Sequence, residues 1–189
     1  NFLDLRERTF DLLDRFRTEL EIAPDKVLTT VIDRGIFGAE IFAQFAEHPQ
    51  RHLITWEKDY HRDGWEQSRP ADGEFIYERP RNNSKDLCTY HFSYQDLLWK
   101  KDPRLKRIIV RATNPKGKTI EVAILCDDIE RASEEIILLI FRRWVQENDF
   151  KYLNKHFGID QITSYQAISY SELAEELAVN ECSAPPTDC

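Results

Sequence analysis

Apolar residues along the chain follow two periodicities, and the switch between them divides it into segments. From Leu5 to Ile22 they recur at helical spacing. Leu5, Phe10, Leu13, Phe16, Leu20 and Ile22 share one face, Arg and Asp alternate along the other, and Pro24 closes the pattern. Val27 to Ile32, VLTTVI, is a β-branched run bounded by Pro24-Asp25 and Gly35, which predicts a strand buried on both faces with Asp33 at its C-terminal end. Gly38 to His48 reads as a helix through Ile41, Phe42, Phe45 and Ala46, and His52 to Trp56, HLITW, as the next strand. Helix, strand, helix, strand is the alternation of a parallel α/β layer. In such layers ligands sit beyond the carboxyl ends of the strands, where Asp33 stands. An Asp followed by Arg and Gly is equally a turn residue that satisfies backbone N–H groups.

Between Trp65 and Asp127 the period becomes two. Glu74 to Glu78, Leu87 to Ser93, Arg107 to Ala112 and Thr119 to Leu125 read as strands, separated by turn material such as Pro80-Arg81-Asn82-Asn83 and Asn114-Pro115-Lys116-Gly117. The last two form a hairpin. Helical spacing then returns in IILLIFRRWVQENDFKYLNK, Ile136 to Lys155, read as one long helix with Ile136, Leu139, Ile140, Trp144 and Val145 on its apolar face. Arg143, Glu147, Lys151 and Lys155 recur every four residues on a neighbouring face. That row is either a solvated charge ladder, worth a few tenths of a kcal/mol per pair, or a metal-ligand glutamate flanked by cations. Gly158 in Phe157-Gly158-Ile159-Asp160 ends the helix. Ser171 to Ala178 reads as a short final helix, and Asn180 to Cys189 as a disordered end. The expected division is residues 1–60, an antiparallel block over 61–128, C-terminal helices over 129–179 and a tail over 180–189.

Charge changes this picture locally. The 189 residues carry a net charge of −8, which argues against nonspecific nucleic-acid binding by the whole surface. Yet between Lys100 and Lys118 stand Lys100, Lys101, Arg104, Lys106, Arg107, Arg111, Lys116 and Lys118 against one acid, Asp102. Such a patch suits phosphate contact, and Trp99 offers a ring for stacking on an unpaired base. The bland alternatives are a solvated edge hairpin that uses Lys and Arg to block strand addition, and a Trp99 that simply packs.

The four cysteines form no C-x-x-C pair and have no partnering His cluster, so reduced thiols rather than zinc ligands are expected. No stretch reaches the roughly 20 apolar residues of a membrane span, and NFLDLRERTF is too charged for a signal peptide, so cytoplasm is the expected compartment. The chain contains no methionine, which makes it read as a fragment.

Two segments resemble the signatures of DDE-type transposases of bacterial insertion sequences. VIDRGIFGAEIF is similar to the motif in which Asp-Arg-Gly follows a strand of a ribonuclease-H-like core and supplies the second catalytic aspartate, here Asp33. The long helix resembles the C-terminal catalytic helix, whose Arg four residues before the catalytic Glu matches Arg143 and Glu147. The signature's Tyr and Lys positions hold Ile140 and Asn154 here, with Lys151 and Lys155 as the nearby cations. FGIDQITSY resembles the segment that follows that helix.

The resemblance implies an α/β fold: a partial ribonuclease-H-like core with an inserted antiparallel β subdomain, lacking the first three strands and with them the first catalytic Asp. It implies two Mg²⁺ (or Mn²⁺) ions, with Asp33 and Glu147 as ligands and Arg143 as a phosphate- or carboxylate-orienting partner. The implied partners are double-stranded DNA, at transposon ends and target, and a second copy in a homodimer on DNA, in the bacterial cytoplasm. The implied activity is metal-dependent DNA cleavage and strand transfer, absent from this chain alone.

Two other classes stay open. One is a noncatalytic DNA-binding or assembly module derived from a transposase. The other is a small-molecule α/β enzyme using Asp33 with one of His48, His52, His61, His91 or His156, although no G-x-G-x-x-G, Walker loop, G-x-S-x-G or H-E-x-x-H is present.

Overall fold

The computed structural model describes residues 2–33, 36–80 and 87–143. Eight complete elements run α1 (Phe2–Glu19), β1 (Leu28–Ile32), α2 (Ala39–Ala46), β2 (Arg51–Trp56), β3 (Gly73–Pro80), β4 (Leu87–Leu98), β5 (Lys106–Thr113) and β6 (Thr119–Cys126). A further helix, α3, is described over residues 133–143. The rest of the expected long helix, together with Glu147, Lys151, Lys155, His156 and everything after, lies outside the described residues.

The six strands form one sheet in the order β1-β2-β6-β5-β4-β3. β1 and β2 are parallel, joined through α2, and every other neighbouring pair is antiparallel. The expected β5–β6 hairpin is present, with Lys106 opposite Cys126 and Thr113 opposite Thr119. Its turn is shaped by Asn114, whose side-chain oxygen accepts the N–H groups of Lys116 and Lys118, and by Gly117 at φ 75°. The four antiparallel strands extend the same sheet as the parallel pair, because β6 bonds directly to β2.

β5 shows why this sheet needs two coverings. Ile108, Ile109 and Val110 are all fully buried although successive side chains point to opposite faces. On one face Ile54, Trp56, Phe92, Ile108, Val110, Ala112, Ile124 and Cys126 pack against Ile136, Ile137, Ile140 and Phe141 of α3. On the other, Ile32, Leu53, Trp99, Leu105 and Leu125 pack with Ile41, Phe42 and Phe45 of α2 and with Phe10 and Leu13 of α1. Farther across that second face the segment from Glu57 to Asp72 closes over the strands. Gln95, 1% exposed, clamps it: the side-chain oxygen accepts the Glu66 N–H, and the side-chain nitrogen donates to the carbonyls of Glu66 and Arg69.

Two expectations are corrected. β1 is not buried on both faces. Among the described residues it pairs only with β2, its residues are mostly half-buried, and Val27 just before it is 51% exposed. The helix α1 stops at Glu19, well before Pro24. Glu21 turns left-handed at φ 51°, and the Ile22 N–H returns to the Arg17 carbonyl, closing the end without glycine. Phe16 and Leu20, expected on its buried face, are 54% and 66% exposed. No helix among the described residues is long and apolar enough to cross a membrane.

Replacing Gln95 with Ala should cost about 2–4 kcal/mol, because buried N–H and C=O groups of the covering segment are then left without a partner. Ile140→Ala should cost a similar amount by opening a cavity under α3. Urea denaturation measures both, and hydrogen exchange should show the Glu66 amide deprotected locally only in the first.

Candidate active site and nucleic-acid interface

Asp33 follows β1 directly. Ile32 belongs to the cluster beneath α1 and α2, whereas Val31 packs in the cluster beneath α3, so alternation turns Asp33 toward the α3 face. There it meets Arg143, whose Nη2 lies 3.5 Å from the Asp33 Oδ2. The two residues are remote in sequence and come from different motifs. What brings them together is the register of α3, fixed by four side chains of at most 5% exposure at 136, 137, 140 and 141. Both polar ends stay accessible, at 56% for Asp33 and 28% for Arg143.

Magnesium needs several oxygen ligands. Among the described residues no three His, Cys, Asp or Glu side chains are grouped to hold a metal ion. Asp33 fits as one such ligand, and the described residues do not complete the set. The nearest carboxylate in topology, Glu57 after the neighbouring parallel strand, faces the other way. It accepts from the Arg107 Nε at 2.6 Å and from the Trp99 indole N–H at 3.2 Å, in a pair only 7% and 16% exposed. Sequence reasoning gave Glu57 no role. The available signal was Arg107 directly before the apolar run Ile108-Ile109-Val110, a cation that needs an acid beside it when covered.

The basic stretch divides in the fold. Arg107 is held by Glu57, Arg111 by Glu121 at 2.8 Å and Lys106 by Asp96 at 3.2 Å, all partly buried. Arg104 is paired with Asp102 through two nitrogens, and the guanidinium holds the Asp102 carboxyl below the usual range. Arg111 also lies over the Trp65 ring, 4.2 Å from its centroid, and Arg107 over Tyr60. These four cations are committed to the fold. Lys100, Lys101, Lys116 and Lys118 are exposed and have no carboxylate partner among the described residues. They sit in two turns at opposite ends of β5.

Trp99 does not present a stacking platform. It is 7% exposed, with Phe37 and Phe42 packed edge-on against it and Lys101 over its ring. The ring therefore joins the β4–β5 turn to the segment that follows Asp33.

The histidines lie elsewhere. His52 pairs in register with Thr29, near the start of β1 rather than its Asp33 end. Its Nδ1 is 3.5 Å from Asp127 and its Nε2 3.8 Å from Asp128. With His48 it lines a cleft of about 280 Å³ floored by Phe42, Phe45 and Leu105, and Asp33 is not among the lining residues. His61 and His91 are exposed. Cys126 is buried, and burial pushes its thiol up to about 12, so it is inert at neutral pH.

Residues 20–181 match the model of a family described as "Transposase protein". The chain belongs to this transposase family. No curated protein and no solved structure matches the chain. The match covers the transposase's Asp33, Arg143 and Glu147 and the whole basic stretch. It leaves the whole of α1 outside it.

In the transposase the Asp127 side chain, 8% exposed, is an acid whose charge opposes the fold. Burial raises the Asp127 carboxyl above its usual range, against the lowering effect of the Leu53 N–H, which donates to it at 2.7 Å. A raised folded value means that the neutral form is favoured in the fold, and stability is lost as the pH rises through that value. Asp127→Asn keeps the acceptor and removes the charge. It should raise the melting temperature at pH 7 by a few degrees, corresponding to about 1 kcal/mol, and the gain should shrink as the pH falls into the ordinary carboxylate range.

Proposed function

We propose that this chain is the C-terminal part of a DDE-type transposase catalytic domain, built on a ribonuclease-H-like core with a β insertion. The complete protein would use it to cut and join DNA strands at transposon ends. The observation that carries the reading is the Asp33–Arg143 contact: two residues singled out by separate motifs are neighbours in the fold. Glu147 follows Arg143 by one helical repeat in sequence and is the second carboxylate of the proposed site.

The two outer strands of the sheet support the fragment reading. β3 carries Glu74, Glu78, Arg79 and Pro80, the kind of residues that blunt an edge. β1, LTTVI, carries none, and exposed Val27, Phe16 and Leu20 stand near it in the chain. An uncharged, β-branched outer strand ending in a proposed catalytic aspartate is a place for further strands to add. Those strands would bring the remaining aspartate beside Asp33.

In the complete site Asp33, Glu147 and that third carboxylate would hold Mg²⁺ or Mn²⁺, which supplies Lewis-acid activation of the attacking oxygen and stabilisation of the leaving one. The residues of this chain do the positioning. Arg143 places a guanidinium where a phosphate oxygen can be held, and Lys100, Lys101, Lys116 and Lys118 supply sequence-independent attraction to the backbone. A second copy on DNA would supply the partner for the other transposon end.

One observation favours a second reading, a noncatalytic DNA-holding module: Lys100, Lys101, Lys116 and Lys118 are exposed in two turns, where contact with a phosphate backbone needs no metal. Metal-dependent nicking of a duplex separates the two. The purified 189-residue chain should bind duplex DNA without cutting it, and a longer protein with the upstream strands should cut it and lose cutting on Glu147→Gln. Cleavage by the short chain, abolished by Glu147→Gln, would refute the fragment reading; no cleavage by the long one would leave the holding module.

Replacing Lys100, Lys101, Lys116 and Lys118 together with Ala should weaken binding equally for unrelated duplexes. It should also flatten the salt dependence by about one unit for each phosphate that is no longer neutralised. Arg107→Ala should instead lower stability by about 3–5 kcal/mol, by leaving Glu57 charged and buried. Anisotropy titrations at several salt concentrations, with denaturation curves beside them, distinguish the two sets.

A further inference from the structure

The helix α3 touches β1 at both ends. Its last described turn brings Arg143 to Asp33, with the Nη2 3.5 Å from the Oδ2. Just before its first turn Arg131 reaches the same strand, where its Nη2 donates to the Thr29 Oγ1 at 2.7 Å. Val31 packs in the cluster beneath α3, so alternation sets Thr29, Val31 and Asp33 in one row facing the helix. From Thr29 to Asp33 a strand advances about 13 Å, and from Arg131 to Arg143 a helix advances about 18 Å. Two long side chains cover that difference, so the helix runs alongside β1 in the strand's own direction.

Arg131 is itself held. Its Nε donates to Asp128 and its Nη1 to Glu135, each at 3.0 Å, and its side chain is 17% exposed. Its carbonyl accepts the Lys106 Nζ at 2.8 Å, and Lys106 pairs with Asp96, which also accepts the Ser133 hydroxyl. The start of α3 is thereby bound to β4 and β5, and Arg131 carries that anchor across to β1, which among the described residues pairs only with β2. Apolar packing sets how deep α3 lies, but it is non-directional and resists a short slide along the strand only weakly. A guanidinium hydrogen bond has a preferred direction and length, and resists it.

We propose that Arg131 is a positioning residue for Asp33: by holding Thr29 it fixes how far α3 has advanced along β1, and so where the end of the helix meets the aspartate. The inference rests on the transposase reading for what Asp33 does, and adds to its site a residue that belongs to neither motif. A slip of one residue would move the end of α3 by about 1.5 Å and turn it by about 100°, enough to take the guanidinium of Arg143 away from the carboxylate. Arg131 prevents that slip from the opposite end of the strand.

The carbon resonance of the Asp33 carboxyl tests this, in the full chain labelled at aspartate and assigned with Asp33→Asn. Thr29→Val, which keeps the branched shape and removes the acceptor, and Arg131→Gln should each shift that resonance. The double variant should shift it no further than the larger single change, because both act through one contact. Hydrogen-exchange protection within β1 should fall about tenfold, the loss of one hydrogen bond to a charged group, and protection within β5 should fall less. Arg131→Lys, which restores the charge and a donor, should bring the resonance part of the way back from its position in Arg131→Gln. Glu135→Gln removes an exposed partner of Arg131 and leaves Thr29 bonded, so there the Asp33 resonance should stay in place.

An Asp33 resonance that stays in place in Thr29→Val and Arg131→Gln while β1 loses protection would overturn the proposal, since Arg131 would then only stabilise the strand. Shifts that add in the double variant would overturn it too. If Arg131→Gln unfolds the chain, Thr29→Val decides by itself, because it leaves every charge in place. Failure of the transposase reading shows elsewhere, as no cutting of DNA by the longer protein, whatever the Asp33 resonance does.

Discussion

A strand that is apolar on both faces cannot stay at a surface. Ile108, Ile109 and Val110 of β5 are each fully buried, and that requirement organises the molecule. Each buried side chain of this size is worth about 1.5–3 kcal/mol relative to exposure, so leaving either face open would remove much of a domain's margin. α3 answers on one face with four large side chains. On the other the answer is mixed: two helices at the β1–β2 end, and an irregular segment at the β5–β4 end. An irregular cover has backbone groups to satisfy, and Gln95 satisfies three of them from the strand below.

The same strand explains where the charges go. Arg107 and Arg111 alternate with Ile109 on the face closed by the irregular segment, so their guanidinium groups are covered along with it. A covered cation must find a carboxylate, and Glu57 and Glu121 supply it, with Tyr60 and Trp65 stacked above. Tyr60 in turn donates to Glu121, and burial together with that carboxylate raises its hydroxyl far above the ordinary value. Of the eight cations between Lys100 and Lys118, those without a carboxylate partner among the described residues are the four lysines of the turns.

Much of this was legible in the chain, and the failures have identifiable causes. The period-two segments and the Asn114 turn could be placed because alternation and turn chemistry are local. The inward side of the long helix was legible at Ile136 and Ile140, but Ile137 and Phe141 are buried as well, since α3 crosses a broad sheet rather than a narrow seam. The burial of β1 was misjudged because a β-branched run looks the same at the centre of a sheet and at its side; only the pairing partners differ. Charge was the hardest to read. Eight cations in one stretch look like a patch in sequence, whereas in a sheet alternation and strand ends distribute them over both faces of β5 and two separated turns. The partners that neutralise half of them, Glu57, Asp96, Asp102 and Glu121, are dispersed along the chain and marked by no motif.

Of the carboxylates in the described residues, those that stabilise the fold and the one proposed for chemistry differ in a simple way. Glu57 and Glu121 are short-bonded and covered. Asp33 follows β1, which among the described residues pairs only with β2, and faces an arginine carried on α3. Its partner is therefore positioned by hydrophobic packing, with the ion pair contributing little. The apolar face of α3 thus determines where the guanidinium is, four buried side chains fixing a charge that stands at the rim of the core.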